Sequence, residues 1–204
     1  KIVRIYNGID PARFEGAARK AQPPLILSVG RYIEKKGFGD LIAACALLSD
    51  IPLECRIIGE GPLEANLRAR VLELGQESRV VINGPASEGE IIGHLHRSTL
   101  FALPCITDAK GDSDNLPTVI MEAMAAGLPV VSTRVAGIPE MVEEGVTGYL
   151  VPPESPDILA AKIRSLLENP VLGESMGHAG SARCHEFFDV KTTSAALHAI
   201  LGNV

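Results

Sequence analysis

Short apolar runs alternate with amphipathic segments along most of the chain, and this alternation predicts strands and helices in turn. We expect strands at residues 25–29, 53–58, 80–83, 100–103, 128–132 and 147–151. We expect a first helix at 38–48, a second that follows Gly59-Glu60-Gly61-Pro62 and ends at about residue 74, and a third at 87–95. Further helices are expected from about 116 to 126 and at 138–143, 157–167, 173–188 and 190–201. Continuous apolar strands separated by helices are typical of a parallel sheet covered on both faces. The pattern therefore predicts an α/β fold with a doubly wound, mostly parallel sheet.

The first part of the chain differs from this alternating pattern. Residues 1–24 contain one short extended segment and then turn residues, Asn7-Gly8-Ile9-Asp10-Pro11, so we expect them to form a lead-in or linker. Residues 25–204 are then expected to form a single Rossmann-like domain. Because the chain opens with Lys1 and not with Met, we expect it to be a fragment of a longer protein.

Composition narrows the class of protein. Hydrophobic residues make up 46% of the 204 residues, which is enough for a substantial core, and the net charge of −6 argues against a nucleic-acid partner. No apolar run has the length of a membrane span. Four cysteines without C-x-x-C spacing predict buried, reduced thiols in a cytosolic protein and argue against zinc or disulfides: Cys45, Cys55, Cys105 and Cys184.

The most informative stretch surrounds Glu122, which lies in a helix that is otherwise almost entirely apolar. Asp114 or Asn115 is expected to cap this helix, Pro117 to lie in its first turn and Gly127 to end it. Two interpretations of Glu122 stay open. It is either a solvated helix glutamate or, together with Asp114 in the preceding loop, an acceptor for the hydroxyl groups of a ligand.

Glycine-rich turns follow several of the predicted strands, and the carboxyl ends of parallel strands share one edge of a sheet. Gly30-Arg31, Gly59-Glu60-Gly61-Pro62 and Gly84-Pro85 are three such turns. Arg31 and Lys36 lie in one loop, where a guanidinium and an ammonium suit a diphosphate, although two solvated surface cations are an alternative. The amino terminus of the Glu122 helix adds backbone donors for an anion.

Other chemistries fit the sequence less well. Gly59-x-Gly61 lacks the full G-x-G-x-x-G pattern, which argues against NAD. Asp108, Asp112 and Asp114 suggest a calcium loop, but their spacing does not match the EF-hand pattern, so we predict no metal site.

Several motifs in order resemble one family. They are Gly30-Arg31 with Lys35-Lys36-Gly37, Gly59-Glu60-Gly61-Pro62, Asp114-Asn115-Leu116-Pro117 running to Met121-Glu122-Ala123-Met124-Ala125, Gly137-Ile138-Pro139-Glu140, and Gly148-Tyr149-Leu150-Val151-Pro152-Pro153. Together they resemble the C-terminal half of a family-4 retaining glycosyltransferase of the GT-B fold, from about Ile5 to the end. The family usually has glutamate where this chain has Asp114.

The resemblance implies a binding site for a nucleotide-diphosphate sugar. It implies that Arg31 and Lys36 hold the diphosphate, that Glu122 accepts hydrogen bonds from the ribose, that Asp114 contacts the sugar, and that the backbone at 84–86 holds the base. The residues expected to line the site are Gly30, Arg31, Lys36, Gly59, Gly61, Gly84, Pro85, Ala86, Asn115, Leu116, Pro117, Thr118 and Glu122. Those expected to act in catalysis are Glu122, Asp114, Arg31 and Lys36.

The resemblance also implies partners and a setting. An N-terminal domain with the acceptor site is expected to be missing, so the isolated chain should bind a donor but transfer a hexose poorly or not at all. We expect no cofactor other than the donor, metal-independent transfer, a cytoplasmic location, and membrane contact only through the missing half. A non-catalytic nucleotide- or glycan-binding module is the alternative. A sugar-nucleotide epimerase of similar fold has only the architecture in its favour.

Overall fold

The computed structural model describes residues 3–16 and 20–202, and its centre is one parallel sheet. Six strands form this sheet: β1 (Leu25–Val29), β2 (Glu54–Ile58), β3 (Val80–Asn83), β4 (Leu100–Leu103), β5 (Val130–Thr133) and β6 (Gly148–Val151). Their spatial order is β3-β2-β1-β4-β5-β6, and every neighbouring pair is parallel. The strand order therefore reverses between β1 and β4, which confirms the predicted doubly wound sheet.

Helices connect the strands and follow the last one. In the described ranges they are α1 (Phe38–Ala46), α2 (Glu64–Glu73), α3 (Glu88–Arg97), α4 (Thr118–Ala125), α5 (Ile138–Met141), α6 (Pro156–Glu168), α7 (Pro170–Phe187) and α8 (Val190–Leu201). The bounds of β1, β3, β4 and α8 match the prediction, and the other predicted elements are present with ends shifted by a few residues. None of the helices in these ranges is both long and apolar enough to cross a membrane.

The core forms where the middle strands meet the helices packed on them. All four residues of β4 and the first four of β1 are buried, as a central parallel strand requires. Helix α1 contacts α6, and α4 contacts α7. The four cysteines are free and buried, as predicted.

Helix α4 is buried on several sides but begins later than predicted. Five of its eight residues are buried: Ile120, Met121, Ala123, Met124 and Ala125. Its N-cap is Pro117, with extended backbone and no side-chain cap, so the prediction of a cap from Asp114 or Asn115 and of Pro117 inside the first turn was wrong. Asp114 does not cap the helix because its carboxylate pairs with two lysines instead. Gly127, with φ of 73°, follows the end of the helix as predicted.

The lead-in packs on the domain in the part that the structure describes. Ile9 pairs with Asp189 in an isolated parallel bridge, and the Tyr6 and Phe188 rings meet edge-on with centroids 5.2 Å apart. Phe14 follows a 3-10 turn and is only 5% exposed, within the main core. Whether the segment joins two domains stays a prediction.

Helix α8 covers little of the sheet. Its side chains Leu197 and Leu201 are 45% and 60% exposed. These apolar side chains of α8 therefore face solvent in this structure.

Candidate functional site

The loops that follow β1, β2 and β4 touch one another at the carboxyl edge of the sheet. Gly59, directly after β2, lies against the Gly30 carbonyl directly after β1, so closely that a Cβ on Gly59 would clash with it. Gly37 lies in the same way against the Pro104 carbonyl after β4, and its φ of 64° is in the left-handed region. Two of the three predicted glycine turns, at Gly30 and Gly59, therefore meet at one edge, beside the point where the strand order reverses.

Tyr32 connects the strand ends at this edge through hydrogen bonds of its buried hydroxyl. Its ring is fully buried, and its hydroxyl lies 2.9 Å from the Ile57 carbonyl and also contacts the Asn83 carbonyl. Burial, with a smaller contribution from the Glu64 carboxylate, raises the pKa of Tyr32 to about 12, so the hydroxyl keeps its proton as a donor. One side chain thus joins the loop after β1 to the ends of β2 and β3.

Glu122 lines a cleft of about 560 Å³ at this edge. The cleft residues are Gly8, Ile9, Asp10, Arg13, Phe14, Val29, Ala86, Glu88, Ile91, Glu122 and Val190. Val29 is the last residue of β1, and Ala86 lies in the loop after β3, so the cleft opens above the ends of these two strands. Of the two interpretations of Glu122, its place in a cleft favours the ligand-facing one.

The carboxylate of Glu122 is half-buried and forms no ion pair with any residue in the described ranges. Burial raises its pKa, the negative charge of Glu88 raises it further, and the positive charge of Arg13 lowers it. A carboxylate in this state is a strong acceptor that is available to hydroxyl donors.

Arg13 and Glu88 form an ion pair at this cleft, which the sequence did not predict. Arg13 comes from the 3-10 turn of the lead-in and Glu88 from the first turn of α3. Nothing in the local sequence marks Arg13, because its position depends on how the lead-in folds back on the domain. Glu88 had one signal, since it begins the helix that follows β3 directly.

Two lysines and two aspartates form a second group at the same edge, which we call the lysine–aspartate cluster: Lys35, Lys36, Asp112 and Asp114. Lys35 Nζ lies 2.8 Å from Asp112 Oδ2 and 3.3 Å from Asp114 Oδ1. Lys36 Nζ contacts Asp114 Oδ2, and these two side chains are only 12% and 16% exposed. The predicted diphosphate lysine and the predicted sugar carboxylate are therefore direct neighbours.

The stem of Lys36 connects the cluster to the cleft. A Cβ at Gly30 would lie 3.2 Å from Lys36 Cε, so the lysine stem passes over the residue that follows Val29. Arg31, the other predicted cation, is exposed and forms no ion pair with any residue at 3–16 or 20–202. Its guanidinium is free to meet an anion from solvent.

The remaining predicted residues lie around these two groups. Asn115 and Thr118 are exposed, Leu116 is half-buried and Pro117 is buried at the start of α4. Gly61 lies against the Tyr32 backbone, whereas Gly84 and Pro85 are exposed, and the space beside Gly84 is open. The structure thus places the predicted site residues in loops or at a helix start, except Glu122 in the middle of α4, and of these residues Ala86 and Glu122 line the cleft itself.

The three aspartates of the suggested calcium loop have other partners. The Asp108 carboxylate accepts hydrogen bonds from the backbone N–H groups of Lys110 and Asp112, both at 2.9 Å. Asp112 and Asp114 pair with lysines. In the ranges that the structure describes, no group of three or more His, Cys, Asp or Glu residues is arranged to hold a metal ion.

Comparison with known proteins agrees with the fold and the motifs. The family model described as "Glycosyl transferases group 1" matches residues 11–183. The amylovoran biosynthesis glycosyltransferase AmsK of Erwinia amylovora is 43% identical over 165 residues, which are 79% of this chain and 40% of that protein. The chain thus spans less than half the length of this relative.

Solved structures show the same architecture. Alr3699/HepE of Anabaena in complex with UDP-glucose matches with a TM-score of 0.84 and 25% identity, over 98% of this chain and 57% of that chain. The C-terminal domain of a glycosyl transferase group 1 family protein, LpcC of Francisella tularensis, matches with a TM-score of 0.76 and 22% identity, over 90% of this chain and 100% of that chain. The chain belongs to the glycosyl transferases group 1 family.

Proposed function

We propose that the chain is the donor-binding domain of a glycosyltransferase, which binds a nucleotide-diphosphate sugar for retaining, metal-independent hexosyl transfer. The observation that carries this proposal is the joint position of two groups. The half-buried carboxylate of Glu122 faces a cleft that begins at Val29, and the lysine–aspartate cluster begins one residue further on, where Lys36 crosses Gly30. A hydroxyl acceptor beside a cationic group matches a ribose next to a diphosphate.

Glu122 would accept hydrogen bonds from the ribose hydroxyls. Its carboxylate has no ion-pair partner among residues 3–16 and 20–202, and the cleft provides the space above it. Ala86 lines the same cleft, so the base would lie against the backbone at 84–86, where little side chain intervenes.

Lys36 and Arg31 would bind the diphosphate, together with the backbone N–H groups at the start of α4. The first turn of a helix leaves N–H groups without intrahelical acceptors, and Thr118 and Val119 are in that position. Lys36 is paired with Asp114 in this structure, so a diphosphate would replace Asp114 as its partner.

Asp114 would contact the hydroxyl groups of the sugar, since it lies beside the lysine that would bind the adjoining phosphate. In the transfer step, the bond between the anomeric carbon and the phosphate oxygen breaks, and its electron pair stays on the phosphate. Lys36 and Arg31 would stabilise that negative charge, and the acceptor hydroxyl would form the new bond on the same face of the sugar while its proton passes to the released phosphate oxygen. An N-terminal domain would carry the site that binds this acceptor.

Two of the comparisons support the donor-binding part of this proposal. HepE was solved with UDP-glucose at 25% identity, and the chain spans 40% of the length of AmsK. The family and the length together favour a donor half that works with a second domain.

A calorimetric titration of this chain with UDP-, GDP- and ADP-sugars tests the proposal. We expect saturable binding of at least one donor and no sugar transfer to added acceptors by the chain alone. Absence of binding by all of these donors would overturn the donor-site assignment. Full turnover by the isolated chain would overturn the assignment of half an enzyme.

The second candidate is a nucleotide- or glycan-binding module without catalysis. The shorter carboxylate at Asp114, where the family usually has glutamate, favours it, whereas the presence of Arg31, Lys36 and Glu122 disfavours a decayed site. A transfer assay on the full-length protein separates the two candidates, because only the transferase releases free nucleoside diphosphate in step with product.

A further inference from the structure

The lysine–aspartate cluster contains one lysine that no step above uses. Lys35 joins two carboxylates, with its Nζ at 2.8 Å from Asp112 Oδ2 and at 3.3 Å from Asp114 Oδ1. Lys36 pairs with Asp114, its one carboxylate partner among residues 3–16 and 20–202. If a diphosphate takes Lys36, Asp114 keeps Lys35 as its partner.

Both sides of the link between Lys35 and Asp112 are fixed to the backbone. On the first side, the Lys35 carbonyl accepts a hydrogen bond from the Ile106 N–H at 3.0 Å, and Gly37 abuts the Pro104 carbonyl. The ammonium therefore extends from a backbone that is attached to the segment directly after β4.

On the second side, Asp112 lies in a closed turn. Asp108 Oδ1 accepts from the Asp112 N–H, and the Asp108 N–H donates to the Asp112 carbonyl, both at 2.9 Å. The Gly111 N–H also donates to the Asp108 carbonyl at 2.9 Å. These three hydrogen bonds close 108–112 into one turn, and the ion pair to Lys35 attaches this turn to the loop after β1.

Asp114 lies between this turn and α4, and its ion pairs with residues of the described ranges are with Lys35 and Lys36. Aspartate has one methylene fewer than the glutamate usual in the family, so its reach is shorter by about 1.5 Å. Where Asp114 meets a sugar thus depends on where the loop is held, and less on its own side-chain torsions.

We propose that Lys35 is a positioning residue that, through Asp112, holds the 108–114 loop so that Asp114 faces the sugar of a bound donor. Lys36 binds the diphosphate, whereas Lys35 stays with the two aspartates. Lys35 and Asp112 therefore determine recognition of the sugar and not of the nucleotide. This inference rests on the proposed function, and it adds two residues to which the motifs assign no role.

Two variants of opposite charge test it, Lys35→Met and Asp112→Asn. For each chain, calorimetry measures the Kd of every ligand separately. The ligands are three nucleoside diphosphates, UDP, GDP and ADP, and their sugar forms UDP-glucose, UDP-galactose, GDP-mannose and ADP-glucose. The measured quantity is the sugar increment, which is the Kd of the nucleoside diphosphate divided by the Kd of its sugar form. It is taken from the pair that the unmodified chain prefers.

We expect both variants to lower the sugar increment by about threefold to tenfold, which is less than the loss of a whole charge-assisted hydrogen bond, because a displaced loop weakens the Asp114 contact without removing it. The double variant should lose no more than Lys35→Met alone, since Asp112 acts through its contact with Lys35. Lys110→Met is the matched control. Lys110 lies in the same loop, and its ammonium pairs with no carboxylate at 3–16 or 20–202, so its sugar increment should stay unchanged.

A simple charge effect predicts a different result. Removing a cation weakens the binding of any diphosphate, and removing an anion strengthens it. Lys35→Met would then lower, and Asp112→Asn raise, the affinities for the nucleoside diphosphate and for its sugar form by the same factor, so the sugar increment would stay constant. That result, or two variants with unchanged affinities, overturns the role proposed for Lys35. An unmodified chain that binds none of these ligands overturns the proposed function itself.

Discussion

Lys36 Nζ contacts Asp114 Oδ2 directly, so the cation expected to bind a diphosphate is already neutralised by a carboxylate of the same site. Both side chains are less than one-fifth exposed, at 12% and 16%, which strengthens their attraction relative to a surface pair. A diphosphate must therefore compete with Asp114 for this lysine.

Asp114→Asn should consequently have opposite effects on two ligands. The variant frees Lys36, so we expect the nucleoside diphosphate to bind tighter by about threefold to fivefold, which corresponds to roughly 1 kcal/mol. The same variant removes the carboxylate proposed to contact the sugar, so the sugar form should gain less or lose affinity. Calorimetry with both ligands checks this, and equal changes for the two ligands would show that Asp114 does not contact the sugar.

Glu122→Gln should stabilise the fold at neutral pH. Burial raises the pKa of Glu122 above its ordinary value of 4.5, which means that the folded state disfavours the ionised form. Above the raised pKa the ionised carboxylate therefore lowers the free energy of unfolding, and the amide avoids this cost.

The same reasoning gives the pH dependence of that difference. As pH falls through the raised pKa of Glu122, the folded protein takes up the proton first and the cost disappears. We expect the Tm of Glu122→Gln minus that of the unmodified chain to be positive at pH 7 and to shrink towards pH 4. A variant that is less stable at pH 7, or a difference that grows on acidification, would contradict the burial of this carboxylate.

Gly37→Ala should destabilise the chain by at least about 2 kcal/mol, because alanine disfavours a left-handed backbone and its Cβ would clash with the Pro104 carbonyl. Gly39→Ala, two residues later in α1, is the control. No atom lies within 4 Å of a Cβ built at Gly39, so we expect a gain of about 0.5–1 kcal/mol from helix propensity. Urea denaturation of both variants measures the contrast.

Phe14→Ala tests whether the lead-in is an integral part of the domain. The ring is 5% exposed in the main core, so we expect a loss of about 3–5 kcal/mol in the free energy of unfolding. Leu72→Ala, the control, removes an apolar side chain that is 66% exposed. It should change the free energy of unfolding by less than about 0.5 kcal/mol. A Phe14→Ala chain as stable as the Leu72→Ala chain would mean that residues 3–16 are a linker and no more.

The periodicity of the sequence was sufficient to predict the parallel sheet and the edge at which the cleft with Glu122 lies. Apolar runs such as 25–29 and 100–103 became central strands, because a parallel strand buried on both faces requires a continuous apolar run. Glu122 was recognisable because an acidic residue in an apolar helix needs partners.

Contacts between distant positions could not be predicted in this way. Arg13 reaches Glu88 only because the lead-in folds back, and Lys35 reaches Asp112 across 77 positions of sequence. The predicted cap of α4 failed for a related reason. Local preference makes Asp114 a good cap, but the lysines of another loop attract its carboxylate more strongly.

Glu122 carries the central claim, and titration of the Glu122→Ala chain with the nucleotide sugar that the unmodified chain binds best tests it most directly. Glu73→Ala, which removes an exposed carboxylate on α2, is the control, and thermal unfolding verifies that both variants are folded. We expect Glu122→Ala to weaken binding by about tenfold to a hundredfold, the loss of one charge-assisted hydrogen bond at roughly 1.5–3 kcal/mol, and Glu73→Ala to leave it unchanged. A folded Glu122→Ala chain with unchanged affinity would contradict the assignment of the cleft as a donor site.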